Sequence, residues 1–262
     1  MIWALLASSL CSAFEARLPA AAVEGRGGPS VAWAADGDPL DANPALAASV
    51  DSRGEVGGGL THPLGFADLN LGGLWARTRL WGGWAAAFRW KTLSAGEIYR
   101  EDAWGTDLAW KGGRLALGIG LRAGHVTLEG EDLGAPLGGA AGIRLGVFDG
   151  LALAASMEDA SLFRTEGLPQ PWVLGLGAAL SGKDSSWAGD LSIDRRERSG
   201  WSGKVGQELR LEPLRFRAGL RANPWTISAG LGGAVRGARL DWALEGDPRL
   251  GWQHHLSTSW SF

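Results

Sequence analysis

The last thirteen residues, Leu250 to Phe262, alternate between two unlike faces. Leu250, Trp252, Leu256, Trp260 and Phe262 share one parity with His254 and Thr258, while Gly251, Gln253, His255, Ser257, Ser259 and Ser261 hold the other. A period of two is strand geometry. A broad apolar face opposite a small polar one suits a sheet laid over a soluble core, or a barrel strand between lipid and a wet lumen. The pattern recurs from about residue 53 onward. Leu80, Gly82, Trp84, Ala86, Phe88 and Trp90 alternate with Gly83, Ala85, Ala87, Arg89 and Lys91, and Leu214, Phe216, Ala218 and Leu220 alternate with Arg215, Arg217, Gly219 and Arg221. Arginine at every second position cannot face a dry core without partners. It can face water in a lumen.

Alternation and turn residues predict about fourteen strands, near 54–60, 67–76, 80–91, 102–110, 114–123, 137–148, 150–158, 172–181, 186–193, 201–211, 214–222, 225–235, 238–244 and 250–262. An even count of mostly nine to twelve residues each fits a transmembrane antiparallel β-barrel. Connections after even-numbered strands are tight, as at Arg77-Thr78-Arg79, Lys111-Gly112-Gly113, Asp149-Gly150, Gly182-Lys183-Asp184, Glu212-Pro213 and Arg236-Gly237. Those after odd-numbered strands are mostly longer: Thr92 to Glu101, Gly124 to Pro136, Asp159 to Gln170, Asp194 to Gly200. That asymmetry is typical of outer-membrane barrels, whose short turns are periplasmic. Both termini are then expected in the periplasm of a Gram-negative-type bacterium. A secreted β-sandwich is the competing expectation.

Composition agrees with the membrane reading. The chain holds 42 glycines among 262 residues, about 16%, against roughly 7% in ordinary soluble chains. Its 15 tryptophans suit an interfacial belt. Lys and Arg total 25 against 28 acids and are scattered singly, so nucleic acid is excluded as a partner. Ile2 to Phe14 form a short apolar run followed by small residues, which predicts a signal peptide over residues 1–16 despite the missing basic start. The one cysteine, Cys11, lies inside it, so the mature chain is expected to lack disulfides and thiol chemistry. No later run reaches the ~18 to 20 apolar residues of a membrane helix, so any spanning structure must be a closed barrel.

Residues 17–52 precede the first strand and hold Val31 to Val50, a small-residue-rich stretch with Asp38, Asn43 and Pro44 in a D-x-x-x-x-N-P-A arrangement. Further motifs follow in order: Gly206-Gln207-Glu208, Leu214 to Gly219, Ser228 to Gly232, Leu240 to Ala243, and Leu250-Gly251 with His254 and Ser257 before Phe262. This series resembles the FadL-like outer-membrane barrels, and particularly their PorV/PorQ branch. Trp242 stands where Tyr is usual there and His255 where Arg is usual. The resemblance implies a fourteen-stranded barrel over residues 53–262, with residues 17–52 as a plug or hatch. It also implies passive transport of small hydrophobic or amphipathic solutes, or alternatively an accessory role docking secreted proteins at the outer membrane. The terminal aromatics Trp260 and Phe262 look like the signal read by barrel-assembly machinery. Outer-membrane lipid, that machinery, and a small hydrophobic ligand or secreted proteins are the implied partners.

No catalytic site, metal or cofactor is expected. Gly177 to Lys183 nearly matches a phosphate loop, but Asp184 replaces the required Ser or Thr and a strand follows. Glu129, Glu131 and Asp132 read as a solvated loop, with a divalent cation as the lesser alternative. The candidate lumen-facing residues are Arg122, Arg144, Asp190, Glu208, Arg215, Arg217 and Arg221. Their arginines either favour anionic head groups or pair with inward acids such as Asp190, Glu208, Asp241 and Glu245, and the second is the stronger expectation.

Overall fold

The computed structural model describes residues 20–28, 30–33, 41–63, 68–163, 172–194, 200–248 and 251–262. The predicted signal peptide, Asp38 and Leu250 lie outside them. The chain runs from a one-turn helix α1 (Ala21–Glu24) and a 3-10 helix (Pro44–Ala48) into β1 (Gly54–Pro63), β2 (Leu69–Arg79), β3 (Trp84–Ala95), β4 (Tyr99–Gly112) and β5 (Leu115–Leu128). It continues through β6 (Glu131–Gly134), β7 (Leu137–Phe148), β8 (Leu151–Phe163), β9 (Val173–Ser181) and β10 (Ser185–Asp194). The last strands are β11 (Trp201–Leu211), β12 (Leu214–Ala222), β13 (Thr226–Val235), β14 (Ala238–Asp247) and β15 (Gly251–Ser261).

Each strand pairs antiparallel with its sequence neighbour, except that β5 pairs with β7 across the short β6. β1 pairs with β15, so fourteen strands close on themselves and β6 is an extra strand on the end of β5. Closure satisfies every edge, which a lipid setting demands. Among the described residues no helix is long and apolar enough to cross a membrane.

The alternation sorts side chains to the faces expected from the sequence. Leu60, Ile119, Leu176, Ile227, Leu240 and Leu256 point outward and are between 48% and 64% exposed, although they are large and apolar. On the opposite parity Glu55, Arg77, Asp107, Glu208, Asp241 and His255 are buried. A chain with its charges inside and its leucines outside is inverted relative to a soluble protein. Outward tryptophans mark both rims: Trp81, Trp84, Trp187 and Trp260 near the tight-turn end, Trp201, Trp225 and Trp252 near the other.

Several boundaries differ from the sequence expectation. β3 starts at Trp84, and residues 80–83 form the turn. The expected long loop Thr92 to Glu101 shrinks to residues 96–98, because β3 and β4 stay paired as far as Ala95 and Tyr99. In the expected loop from Gly124 to Pro136, β5 runs on to Leu128 and β6 folds back on it. The cause is local. Tyr99 and Val126 are buried there and pack with Leu93, Ala95, Leu128 and Leu133, a small apolar cluster that holds the extended hairpins together.

Candidate functional site

The inner wall carries a chain of ion pairs. Glu208 on β11 is wholly buried and accepts from Arg217 Nε at 2.8 Å and Arg210 Nε at 2.9 Å. Arg215 lies 3.5 Å from the same carboxylate and Arg239 3.7 Å. Arg217 also donates to Asp241 at 2.7 Å, and Arg239 Nε lies 2.9 Å from Asp241. These residues meet because β11, β12, β13 and β14 are neighbours and the strand period turns the same parity of each inward. Around the wall Arg221 pairs with Glu245 and donates to Thr226 Oγ1 at 3.2 Å. Arg122 donates to Asp107 at 2.7 Å, and Asp107 also pairs with Arg89, which lies 3.2 Å from Asp41.

The described part of the N-terminal segment lies against this inner face. Gly25, Arg26 and Gly27 approach β11, β12 and β13 so closely that a Cβ on Gly206 or Gly219 would collide with the backbone of residues 26 and 27. A Cβ on Gly25 would sit 2.9 Å from the Cα of Gly230. Ala21 N donates to Ser257 Oγ at 3.1 Å. Arg26 is buried, its guanidinium 4.3 Å from the ring centre of Trp33. Further along, Val31 N donates to Asp190 at 2.8 Å and Arg144 Nε donates to Ala32 O at 3.1 Å.

Asn43 and Pro44 do local work. The Asn43 side chain caps the 3-10 helix by accepting from Ala45 N at 3.0 Å, and Pro44 occupies its first position. The Asn43 amide also donates to Val31 O at 2.8 Å and to Ile143 O at 3.3 Å, joining the segment to itself and to β7. A Cβ on Gly118 or Gly142 would collide with residues 43–45, so these wall glycines are seats for the NPA turn. Leu46, Ala47, Ala48 and Val50 then pack on Ala85 and Ala109 near the tight-turn end.

The seven candidate lumen residues therefore divide. Glu208, Arg215 and Arg217 share one cluster, Arg122 holds Asp107 on the neighbouring β4, Arg221 reaches across β13 to Glu245 on β14, and Asp190 and Arg144 hold the N-terminal segment. Glu24, Arg26, Glu55, Arg77, Arg89 and Arg239 were missing from the expectation, although inward parity marks the last four. Trp260 and Phe262 stand on the outer face, and Phe262 exchanges two backbone hydrogen bonds of 3.0 Å with Gly54 where the barrel closes. His254 and His255 face opposite ways: His254 accepts from the outer Trp242 Nε1 at 3.3 Å, and His255 lies 2.8 Å from Thr61 Oγ1 inside. Asp132 accepts from Gly134 N at 2.7 Å and lies 3.3 Å from His125. Among the described residues no group of three or more His, Cys, Asp or Glu gathers as metal ligands.

No protein-family model matches the chain, and no curated protein matches it. Solved structures do. The Ralstonia pickettii toluene transporter TbuX superposes with a TM-score of 0.72 at 13% identity, over 95% of this chain and 99% of that one. The Pseudomonas putida toluene transporter TodX gives 0.69 at 12% identity, over 96% and 99%. CymD, a monoaromatic hydrocarbon channel, gives 0.69 at 13%, over 94% and 97%. At such identities the likeness concerns fold, and the shared fold is a closed fourteen-stranded antiparallel barrel.

Proposed function

We propose that this protein is an outer-membrane channel for passive diffusion of small hydrophobic or amphipathic solutes, and not an enzyme. The observation that carries this is the apolar cluster of Leu93, Tyr99, Val126, Leu128 and Leu133, on the inner face at the end away from the tight turns. At the end of the lumen where the described N-terminal segment does not pack, it offers an apolar solute a place to land. The structural neighbours support the solute class, since their names call them transporters of toluene or channels for monoaromatic hydrocarbons.

Residues 17–52 are, on this proposal, a hatch over the periplasmic half of the lumen. Its polar attachments include hydrogen bonds such as Ala21 to Ser257, Val31 to Asp190 and Asn43 to Ile143, beside the ion pair of Asp41 with Arg89. A neutral hydrogen bond is worth about 1 kcal/mol net and a charged one about 1.5–3, and none of these contacts belongs to a barrel ladder, so the segment could release stepwise with the wall intact. The finer assignment to the PorV/PorQ branch rests on the ordered motif series from Asn43-Pro44-Ala45 to Phe262. With it come a cleaved signal peptide, periplasmic termini and delivery by barrel-assembly machinery. Docking of secreted proteins gains no support from the neighbours.

The test is uptake of radiolabelled toluene by Gram-negative cells that lack a hydrocarbon transporter. Cells are needed because toluene already crosses plain phospholipid vesicles. Cells carrying the barrel should take up toluene several-fold faster; an unchanged rate overturns the proposal.

A further inference from the structure

Among the inward acids Glu101 has unusual company. Its cross-strand neighbours are Leu93 on β3 and Val126 on β5, both members of the apolar cluster at the landing end. Glu101 is 2% exposed. Oε2 accepts from the Tyr99 hydroxyl at 3.0 Å, while Oε1 is buried with no hydrogen-bond partner. A buried carboxyl oxygen without a donor is costly, and such an exception calls for a reason. The Tyr99 hydroxyl hydrogen is already engaged by Oε2, so what the site lacks is a second donor.

β6 continues the sheet beside this end of β5, on the side away from β4, and is weakly tied. Only Val126, Thr127 and Leu128 pair with it, and the register shifts between Val126 and Thr127. Of its four residues Leu133 packs onto the cluster, whereas Asp132 serves its own turn by accepting from Gly134 N. A flap on so few bonds can lift without opening the barrel, whose β5–β7 ladder runs separately from Leu115 to Ala123.

We propose that the inner face of β3, β4 and β5, next to β6, binds a solute with an apolar body and a hydrogen-bond-donating head group, an amine or a hydroxyl. The head donates to Glu101 Oε1 and the body lies on Leu93, Val126 and Leu128. This rests on the transport proposal and narrows its solute class. A carboxylate head offers no donor, and a plain hydrocarbon leaves Oε1 unpaired, so both bind less well.

Four ligands with the same methylphenyl body separate these cases: 4-methylbenzylamine, p-cresol, p-xylene and 4-methylbenzoate, titrated calorimetrically into the full barrel in detergent. At least one donor ligand should bind about tenfold or more tighter than p-xylene and 4-methylbenzoate. The stronger of the two donors tells whether a cation or a hydroxyl is preferred. Glu101→Gln should bring all four within about threefold. Glu101→Asp, which withdraws the carboxyl by one methylene, should cut the preference at least about fivefold and serves if the first variant does not assemble. Absence of binding by all four, equal binding by p-xylene or 4-methylbenzoate, or an undiminished preference in both variants overturns the proposal. Unchanged toluene uptake in cells would sink the transport proposal, whereas equal affinities alongside accelerated uptake would sink only the donor site.

Discussion

Single residues decide how the lumen is filled. Glu208 is surrounded by Arg210, Arg215, Arg217 and Arg239, and Asp241 is the second acid that these arginines share. Removing its charge leaves buried guanidinium groups facing one another. Glu208→Gln should therefore destabilise the barrel by about 3–5 kcal/mol, read as a lower urea midpoint of the heat-modifiable form. Asp149→Asn, which touches only the exposed pair with Arg114, should leave that midpoint unchanged. Gly219 makes a different point. Its inward Cβ position is occupied by the backbone of Arg26 and Gly27, yet its outward neighbours Ala218 and Leu220 keep the wall paired. Gly219→Leu should displace residues 25–27 and leave the barrel closed. In a Cys11→Ser background, Ala22→Cys should resist a membrane-impermeant maleimide with Gly219 in place and react when leucine replaces it. Equal labelling in both would refute the seat.

At the scale of elements, closure rests on the meeting of β1 and β15. Phe262 adds two backbone hydrogen bonds to Gly54 beyond the end of β15, and its ring fills the space beside that glycine. Deleting Phe262 should lower the folded, heat-modifiable barrel in outer-membrane fractions while any assembled protein transports normally; normal membrane levels would contradict this. Most strands were legible because lipid and a wet lumen impose a period of two, as Leu214 to Arg221 displays in its plainest form. The extensions of β3, β4 and β5 were not legible. Leu93, Ala95, Tyr99 and Val126 lie among Thr92, Ser94, Gly96, Glu97 and Gly124, which resemble loop chemistry, and only cross-strand contact makes them a cluster. β6 escaped for the same reason, being four residues long.

At the scale of the whole molecule, the chain reverses the usual arrangement of inside and outside, with ion pairs within and leucines without. Inward parity was enough to find Arg122, Glu208, Arg217 and Arg221. It could not find Glu24, Arg26 or the backbone of residues 25–27, because these belong to a segment with no period of its own. Glycines such as Gly118, Gly142 and Gly206 looked like general crowding in the sequence, although each is a seat for one part of that segment. On the proposed function, the N-terminal segment governs passage through the lumen. Gly25 and Ala243 test it: a Cβ on Gly25 would lie 3.2 Å from that of Ala243, and the slight retreat forced by its 2.9 Å approach to the Cα of Gly230 brings the pair into disulfide range. In cells carrying Gly25→Cys with Ala243→Cys, toluene uptake is measured after mild oxidation and again after reduction. Oxidation should lock the segment and bring uptake down to the barrel-free rate, and reduction should restore it; a cross-linked barrel that still takes up toluene at the unlocked rate would contradict the account.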